Sequence, residues 1–423
     1  MALISVKDSQ EVLHFSITPE KTAWNRHDTY WSLSLFGTAV GAGILFLPIN
    51  LGLGGFWPLL IMALLAYPMT YYSHRGLARF VLSSAHPNSD FTDVVEEHFG
   101  VTAGRAIAWL YFLSIFPILL IYGVGLTNTV DSFWVNQAQL SALPRWLLSG
   151  VLVSGLIAIM LGGEKIMLRA FAVMVYPLAA ILAALSLYLI PRWHLPSLAL
   201  PSAGEFIHTA WLSVPVIVFS FSYAAAISSF AHKQRRYYQQ QALKKSEHIL
   251  KRTSIVLIAF VLLFVFSCVL TLSPEQLLDA KTQNLSILSY LANATDNPFI
   301  ATLGPLVAFI AITSSFLGHF LGARESLNGL LTKHSSLNYA QANKLGIGFL
   351  FLTIWAAAIL NPSILGMMEA LSGPVIALIL FIMPMIAVYR VNALNGYKKH
   401  LSTYFVFAIG MMAVSALLYR LLH

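Results

Sequence analysis

About eleven separate apolar runs, each about 20 residues long, constrain what this chain can fold into more than any other feature. A helix of about 20 apolar residues spans the hydrocarbon core of a bilayer, because it satisfies its backbone hydrogen bonds internally. Of the 423 residues, 58% are hydrophobic and only 10% are charged, whereas soluble domains are about a quarter charged. The sequence therefore predicts an all-α polytopic membrane protein.

The distribution of basic residues predicts how these helices are oriented. The predicted spans lie at residues 30–52, 56–80, 105–134, 146–162, 170–190, 206–231, 253–273, 299–323, 344–361, 364–389 and 402–421. With a cytoplasmic N-terminus, only Arg145, Arg192, Lys281 and Arg420 of the 25 Lys and Arg residues fall outside. The positive-inside rule favours this orientation, which places His423 outside. The net charge of +8 therefore indicates membrane topology and not a nucleic-acid partner.

Two of the predicted spans contain helix-weakening residues near mid-membrane. The first has three glycines in a short stretch, Gly37, Gly41 and Gly43, and the sixth has small and polar residues at 219–226. Glycine weakens a helix and gives the backbone freedom to unwind. Interrupted helices at corresponding places in two halves are typical of inverted-repeat transporters, whose substrate site lies at the interruptions. The alternative is that the glycines only permit close helix packing.

Five spans separate the two interruptions, which predicts two repeats of five helices each. The chain then divides into a cytoplasmic tail at 1–28, a first repeat at 29–190, a second repeat at 206–389 and an eleventh helix at 402–421. In the outer loop between the seventh and eighth spans, residues 273–276 have the spacing of a helix capping box. We expect a short helix there, either as a lid over the transport path or as an ordered connector.

The first span also resembles a known family. Its residues from Gly37 to Pro48 read GTAVGAGILFLP and resemble the first helix of the hydroxy/aromatic amino acid permeases, within the amino acid–polyamine–organocation superfamily. The resemblance covers nearly the whole chain and is closest to the bacterial serine and threonine permeases. The other matching segments are residues 74–77, 96–100, 287–293, 315–319 and 361–366.

This resemblance implies a fold and a function. The fold would be leucine-transporter-like, with eleven transmembrane helices arranged as a five-plus-five inverted repeat and one additional C-terminal helix. The function would be secondary active import of an amino acid, with serine or threonine as the main candidates, across the bacterial inner membrane. The protein would be no enzyme, would need no cofactor except a coupling ion, and would have the lipid bilayer but no obligate protein or nucleic acid as partner.

The resemblance also places a zwitterionic substrate at the two interruptions. Free N–H groups at the start of a half-helix, at Ala42 and Gly43, would bind its carboxylate. Freed carbonyl groups would bind its ammonium group. The candidate substrate-binding residues are Thr38, Ala39, Val40, Gly41, Ala42, Gly43, Tyr122, Phe219, Ser220, Ser222 and Tyr223. Of these, Tyr122 is interpreted either as a substrate contact or as an aromatic residue of the core.

Two departures from the serine and threonine permeases keep the substrate and the coupling ion open. Those permeases have Asn-His where this chain has Ser222-Tyr223, and Lys where it has Ser314. The first difference leaves an aromatic or another neutral amino acid as an alternative substrate. The second leaves sodium as an alternative to the protons that the family generally uses. Backbone oxygens of Gly37 and Val40 with hydroxyls of Ser314 and Ser315 are the candidate sodium ligands.

The other candidates for ion coupling or gating are ionisable or hydroxylated residues inside the predicted spans. Ionisable groups at membrane depth are expensive to bury and are therefore functional candidates. Glu369, interpreted as the only carboxylate well inside a span, is a candidate gate, proton carrier or structural acceptor. His319, placed near the inner end of the eighth span, is a candidate proton carrier or a packed core histidine. Thr313 completes the set, together with the two serines that follow it.

Three other classes of membrane protein receive less support. A channel would need a ring-forming filter motif, and the polar residues here cluster at two helix interruptions instead of along one stripe. A transporter-like sensor would need a soluble signalling domain, and no segment is long enough for one. The sequence also lacks the His-Glu-x-x-His, Gly-x-Ser-x-Gly and glycine-rich phosphate motifs of common enzymes.

Overall fold

The structure is a computed structural model that describes residues 23–86, 89, 91–162 and 164–422, without the side chains of 164–172 and 421. Most of the predicted tail therefore lies outside the described residues. Within the described ranges, all regular elements are helices. The α-helices are α1 Arg26–Ala39, α2 Ala42–Leu53, α3 Phe56–Leu82, α4 Phe91–Phe99, α5 Val101–Ser132, α6 Arg145–Leu161, α7 Glu164–Leu189, α8 Ala203–Ser220, α9 Ala224–Tyr238, α10 Ala242–Thr271, α11 Pro274–Thr282, α12 Ile287–Ala294, α13 Pro298–His334, α14 Tyr339–Leu360, α15 Ile364–Met367, α16 Gly373–Ala377, α17 Met383–Arg390 and α18 Leu401–Leu422.

Most of these helices are long and apolar, as the hydropathy predicts. In the described part of the chain, eight helices are long and apolar enough to cross a membrane, or nine if α1 and α2 together form one bent span. Residues 364–390 form one of the eight, because short π-helical segments join α15, α16 and α17. The predicted spans at 56–80 and 146–162 correspond to α3 and to the 17-residue α6, which fall outside this set. The total of eleven spans therefore stays a prediction.

The predicted interruption of the first span is confirmed. The helix stops at Ala39 and resumes at Ala42, and the two halves are bent by 53°. Val40 and Gly41 adopt extended backbone conformations between them. Three glycines and the following proline, Pro48, make this stretch a poor continuous helix.

The sixth span is interrupted too, between Ser220 at the end of α8 and Ala224 at the start of α9. Its three linking residues are not helical, and Tyr223 has φ −123° and ψ 28°. The helical part then continues further than hydropathy predicts, since α9 reaches Tyr238 and α10 begins at Ala242. The basic segment at 232–252 is consequently mostly helix, where the sequence analysis places a loop.

The two interrupted spans lie in the centre of the molecule. α1 packs against α10 and α13, while α2 packs against α8. α13 also packs along α5, and residues of all these helices belong to one buried apolar cluster. Between α10 and α12, Ser273 caps α11 in the predicted capping box, with Gln276 as its partner. The apolar α12 that follows packs on α13 and α2 and so connects this loop with the central helices.

The first helix begins a few residues before the predicted first span. α1 begins at Arg26, so Asp28 lies in its first turn and not at the end of a tail. The Asp28 side chain is fully buried and pairs with Lys245 of α10, with Oδ2 and Nζ 3.0 Å apart. It also accepts a hydrogen bond from the hydroxyl of Tyr238. Asp28 is thus a buried carboxylate in addition to Glu369, in a region where the preceding polar residues keep the mean hydropathy low.

Candidate functional site

The two interruptions lie against each other. The Ser220 hydroxyl, at the end of α8, donates a hydrogen bond of 2.9 Å to the carbonyl oxygen of Gly43 in the first turn of α2. A Cβ atom on Gly43 would lie 2.8 Å from ring carbons of Phe219 and from Cα of Ser220. These residues are buried. The structure thus brings together the two segments that the sequence analysis selects as the substrate site.

Gly41 is required for close approach and not for an unusual backbone angle. Its φ of −147° is available to any residue, which corrects the expectation that conformational freedom is what the glycine provides. A Cβ atom there would lie 2.5 Å from Cβ and Oγ of Ser315 and 2.9 Å from the Tyr122 hydroxyl. Only a residue without a side chain fits between α13 and α5 at this point.

Backbone groups at the first interruption are left without partners. Within the described residues, the N–H groups of Ala42 and Gly43 find no acceptor, because they begin α2 and lack a preceding helical turn. The carbonyl groups of Ala39 and Val40 likewise accept no hydrogen bond from the described chain. Free donors and free acceptors therefore occur side by side at one helix break, which is the arrangement that a zwitterion requires.

The second interruption offers fewer free groups. The carbonyl of Phe219 accepts the N–H of Ser222 at 3.2 Å, whereas that of Ser220 has no donor among the described residues. The Ser222 hydroxyl accepts the N–H of Ala224 at 3.3 Å and so caps α9. Ser222 therefore has a structural role in this conformation, and Ser220 retains the free carbonyl that the sequence analysis assigns to it.

A chain of hydroxyl groups connects three helices at the first interruption. The Ser315 hydroxyl on α13 donates to the carbonyl of Thr38 at 2.5 Å, and the Tyr122 hydroxyl on α5 lies 2.7 Å from the same Ser315 oxygen. Because Ser315 gives its only hydrogen to the carbonyl, Tyr122 is the donor in the second bond. Tyr122 is 2% exposed. It is thus both a packed core residue and a neighbour of the interruption.

The other hydroxyl groups near the candidate sodium ligands differ in whether they already have hydrogen-bond partners. The Ser314 hydroxyl donates to the carbonyl of Ala311 in its own helix, at 3.1 Å, so the structure does not bring it to α1. The Thr313 hydroxyl is buried and has no hydrogen-bond partner among the described residues. The Thr38 hydroxyl bonds back to Ser34 at 2.8 Å. Hydroxyls in membrane helices commonly bond to the preceding turn in this way.

His319 lies in the middle of α13, because this helix continues to His334, beyond the predicted end of the eighth span at residue 323. Its Nδ1 donates to the Ser315 carbonyl at 2.9 Å, and its ring meets that of Tyr122 edge-on with centroids 5.4 Å apart. The imidazole is buried. This is the packed, hydrogen-bonded arrangement that the sequence analysis weighs against proton transfer.

Glu369 is not an isolated carboxylate. It lies in a π-helical turn, Met368–Ser372, and its Oε2 pairs with Arg420 of α18 at 2.8 Å. Its Oε1 accepts a hydrogen bond of 2.8 Å from the side-chain amide of Asn50 on α2. The sequence analysis missed both partners, since 319 residues separate Asn50 from Glu369 along the chain. Glu369 thus connects the second half of the first span with the C-terminal helix.

His74 is a residue of this region that the sequence analysis did not select. It lies on α3, is 1% exposed, and stacks on the Tyr223 ring with centroids 3.6 Å apart. Its Nε2 lies 3.0 Å from the Tyr223 backbone nitrogen. Two signals pointed to it, namely a single histidine in a long apolar span and its place at the start of the matching segment 74–77.

Comparison with known proteins identifies the family. The model of the tryptophan/tyrosine permease family matches residues 28–421. This chain belongs to that family. Serine transporter SdaC of Escherichia coli strain K12 is 49% identical over 413 residues, which cover 95% of this chain and 96% of the relative. Threonine/serine transporter TdcC of Escherichia fergusonii is 39% identical over 425 residues, which cover 94% and 96%.

The family membership confirms the predicted resemblance and, with it, amino acid transport by a multi-pass membrane protein. Because the family and these relatives are transporters, the prediction that the chain is not an enzyme also agrees. Among solved structures, a Na+-coupled sialic acid symporter in a substrate-bound outward-open state has a TM-score of 0.57 and 14% sequence identity. The likeness covers 92% of this chain and 88% of the symporter. It confirms the predicted leucine-transporter-like fold class.

Proposed function

We propose that the protein imports a hydroxy amino acid, with serine as the first candidate, by proton symport across the bacterial inner membrane. The main support is the pair of interruptions, where the free N–H groups of Ala42 and Gly43 lie beside the free carbonyls of Ala39 and Val40. A small zwitterion satisfies both sets at once. The names of the two relatives, a serine transporter and a threonine/serine transporter, support the choice of substrate.

Tyr223, one of the residues that differ from the serine and threonine permeases, is compatible with this substrate. The Tyr223 hydroxyl lies 3.0 Å from the Ser254 hydroxyl, and its ring stacks on His74. Both the polar and the apolar part of this side chain therefore have partners within the protein. In this conformation Tyr223 stabilises the second interruption. Its presence in place of histidine is therefore consistent with the same substrate as in the serine and threonine permeases.

Sodium coupling is a second candidate, and a specific observation favours it. The buried Thr313 hydroxyl has no hydrogen-bond partner in the described chain. On the same helix, the hydroxyl oxygen of Ser315 contacts the Thr38 carbonyl of α1. Neutral oxygens from α1 and α13 are of the kind that half-helix ends present to sodium. The general use of protons in the family favours proton coupling, whereas these oxygens favour sodium coupling.

Uptake of labelled serine into liposomes that contain the purified protein separates these candidates. Proton symport predicts accumulation with an imposed pH gradient in sodium-free buffer. Accumulation that requires a sodium gradient and ignores the pH gradient would instead establish the second candidate. Unlabelled threonine, tryptophan and alanine, added as competitors, then define the substrate class. A facilitator or channel would equilibrate serine under every condition without accumulating it.

The proposed orientation has a cytoplasmic N-terminus and an outer C-terminus. Its support is the excess of Lys and Arg on one side of the predicted spans. A reporter enzyme that is active only in the cytoplasm should be active when fused before the first residue and inactive after His423. Activity at both ends would show that the number of spans is even.

A further inference from the structure

The hydrogen bonds of His74 fix the protonation of its ring. Nδ1 lies 2.7 Å from the carbonyl oxygen of Thr70, which can only accept, so Nδ1 carries a hydrogen. Nε2 lies 3.0 Å from the Tyr223 nitrogen, which can only donate, so Nε2 carries a lone pair. The imidazole is therefore neutral in this conformation, and both ring nitrogens are in use.

The bond to Tyr223 serves the second interruption directly. An amide at a helix interruption has no carbonyl one turn earlier to accept its hydrogen, and a buried N–H without an acceptor costs about 1–3 kcal/mol. Residues 221–223 contain no glycine, and no side chain within the segment accepts the N–H of Tyr223. A ring from α3 supplies the missing acceptor. The conformation of the interruption thus depends on the lone pair of one nitrogen.

We propose that His74 binds the coupling proton and that its protonation releases the interruption between α8 and α9. A proton from water adds to the Nε2 lone pair and gives an imidazolium, which has two donors and no acceptor. The N–H of Tyr223 then loses its partner and faces another N–H. Proton binding at Nε2 and the observed backbone bond exclude each other, so each favours a different conformation. This inference rests on the proposed proton symport.

The surroundings of His74 favour the neutral form in the observed conformation. Tyr223 is the titratable side chain that contacts the imidazole, with Tyr67 and Tyr71 of α3 further away. The nearest cation, Arg75, is directed elsewhere: its guanidinium lies over Tyr71 and Tyr72, and it donates to Ser402 of α18. On α10, the neutral Ser254 faces Tyr223, and the charged Glu247 is paired with Arg79.

Apart from Thr70 and the neutral hydroxyl of Ser73, which lies 3.4 Å from Nδ1, the remaining neighbours are apolar. A cavity of about 10 Å³ beside the ring, the size of one water molecule, has walls from α8 and the π-helical segment that precedes α17. These walls are formed by Ile217, Val218, Phe221, Leu380 and Phe381. Because no described carboxylate contacts the ring, an imidazolium here would be both buried and unpaired. Proton binding consequently requires a conformation in which water reaches His74, which is the link that coupled transport needs.

Two substitutions separate the proton from the hydrogen bond. His74→Gln places an amide oxygen near the position of Nε2, where it accepts the N–H of Tyr223 but cannot bind a proton. His74→Leu removes both functions. We expect His74→Gln to exchange internal for external serine at a rate independent of pH, and to lose accumulation driven by a pH gradient. We expect His74→Leu to lose exchange as well. His208→Gln, at the outer end of α8 with ring contacts only, is the matched control.

The outcomes that overturn the inference differ from those that overturn the proposed function. Accumulation by His74→Gln with the wild-type pH profile would show that the proton binds elsewhere. Loss of exchange in His74→Gln to the level of His74→Leu would show that the ring only supports the fold. If instead the wild-type protein accumulates serine with sodium and ignores the pH gradient, the proposed proton coupling fails, and this inference fails with it.

Discussion

The two helix interruptions at the centre of the molecule are built in opposite ways. The first depends on missing side chains, since Gly41 and Gly43 leave room that Ser315, Tyr122 and Phe219 fill. The second has no glycine between α8 and α9 and depends on an added group, the imidazole of His74. The residues that cause the first break therefore lie in the broken segment itself. The residue that stabilises the second break lies in a different helix, α3.

This difference decides which substitutions each break tolerates. At the first break, the nearest groups are backbone and side-chain atoms already in contact, so any added carbon must displace a neighbour. At the second break, side chains of normal size are present, and the sensitive feature is a backbone hydrogen bond to another helix. We expect the first break to respond to volume and the second to hydrogen-bonding capacity.

The largest effect should come from volume at the first break. Gly43→Leu should abolish serine uptake while the protein still inserts, because leucine favours membrane helices but overlaps Phe219 and Ser220. Gly41→Leu should do the same. Gly155→Leu on α6 is the control, since a Cβ atom there meets nothing within 4 Å. Uptake by both central variants at the wild-type rate would mean that the breaks move apart easily and do not form the site.

A smaller effect should come from the hydroxyl chain at the first break. Ser315→Ala leaves the Thr38 carbonyl and the Tyr122 hydroxyl without their partner, at a cost of about 1–3 kcal/mol. If half of that falls on substrate affinity, the serine concentration for half-maximal uptake rises about fivefold. Ser315→Thr restores the hydroxyl and is the rescue variant.

The matched substitution at the second break is Tyr223→Phe. It removes the hydroxyl that contacts Ser254 but keeps both the ring on His74 and the backbone N–H. We expect a loss of thermal stability of about 1 kcal/mol and an unchanged half-maximal serine concentration. If Tyr223→Phe raised the half-maximal serine concentration as much as Ser315→Ala does, hydroxyl groups would have the same role at both breaks.

Charge in the pair between Glu369 and Arg420 should matter less than either break. Glu369→Gln keeps a side-chain oxygen for Asn50 but weakens the attraction to Arg420. We expect a severalfold lower maximal rate with a small change in melting temperature, because the Arg420 side chain is 30% exposed, which weakens the pair. Arg420→Gln should reproduce the effect, and the double variant should add little to it. Additive losses would show that the two charges act independently.

The smallest effect should come from Glu97 on α4. Burial opposes ionisation of Glu97, but the N–H of Ala85, the hydroxyl of Ser84 and two histidines outweigh it and lower the pKa of this carboxyl. A lowered pKa stabilises the folded protein above the unfolded pKa of about 4.3, and the stabilisation is lost as the pH falls through the folded pKa. The Glu97→Gln variant should therefore have a slightly lower melting temperature than the wild type at pH 7. This difference in melting temperature should disappear in acid.

The sequence predicted what depends on local composition. The apolar runs gave the helical membrane fold, the three glycines gave the first break, and residues 273–276 gave the cap of α11. Partners that are distant in sequence could not be predicted, because no local pattern records them. The pairing of His74 with Tyr223 and that of Glu369 with Arg420 are examples, and both appear only when the helices are packed. The candidate roles of the site residues stay predictions.

The buried pair between Asp28 and Lys245 also has a consequence for biosynthesis. Lys245 follows Asp28 by 217 positions in the sequence. The ribosome therefore makes a long part of the chain after Asp28 and before it adds Lys245. A carboxylate without its partner is unfavourable in a buried place. We therefore expect the first helix to reach its final position only after α10 has been made. Although insertion proceeds from the N-terminus, the end of the bundle that holds this pair would then close only once α10 is in place.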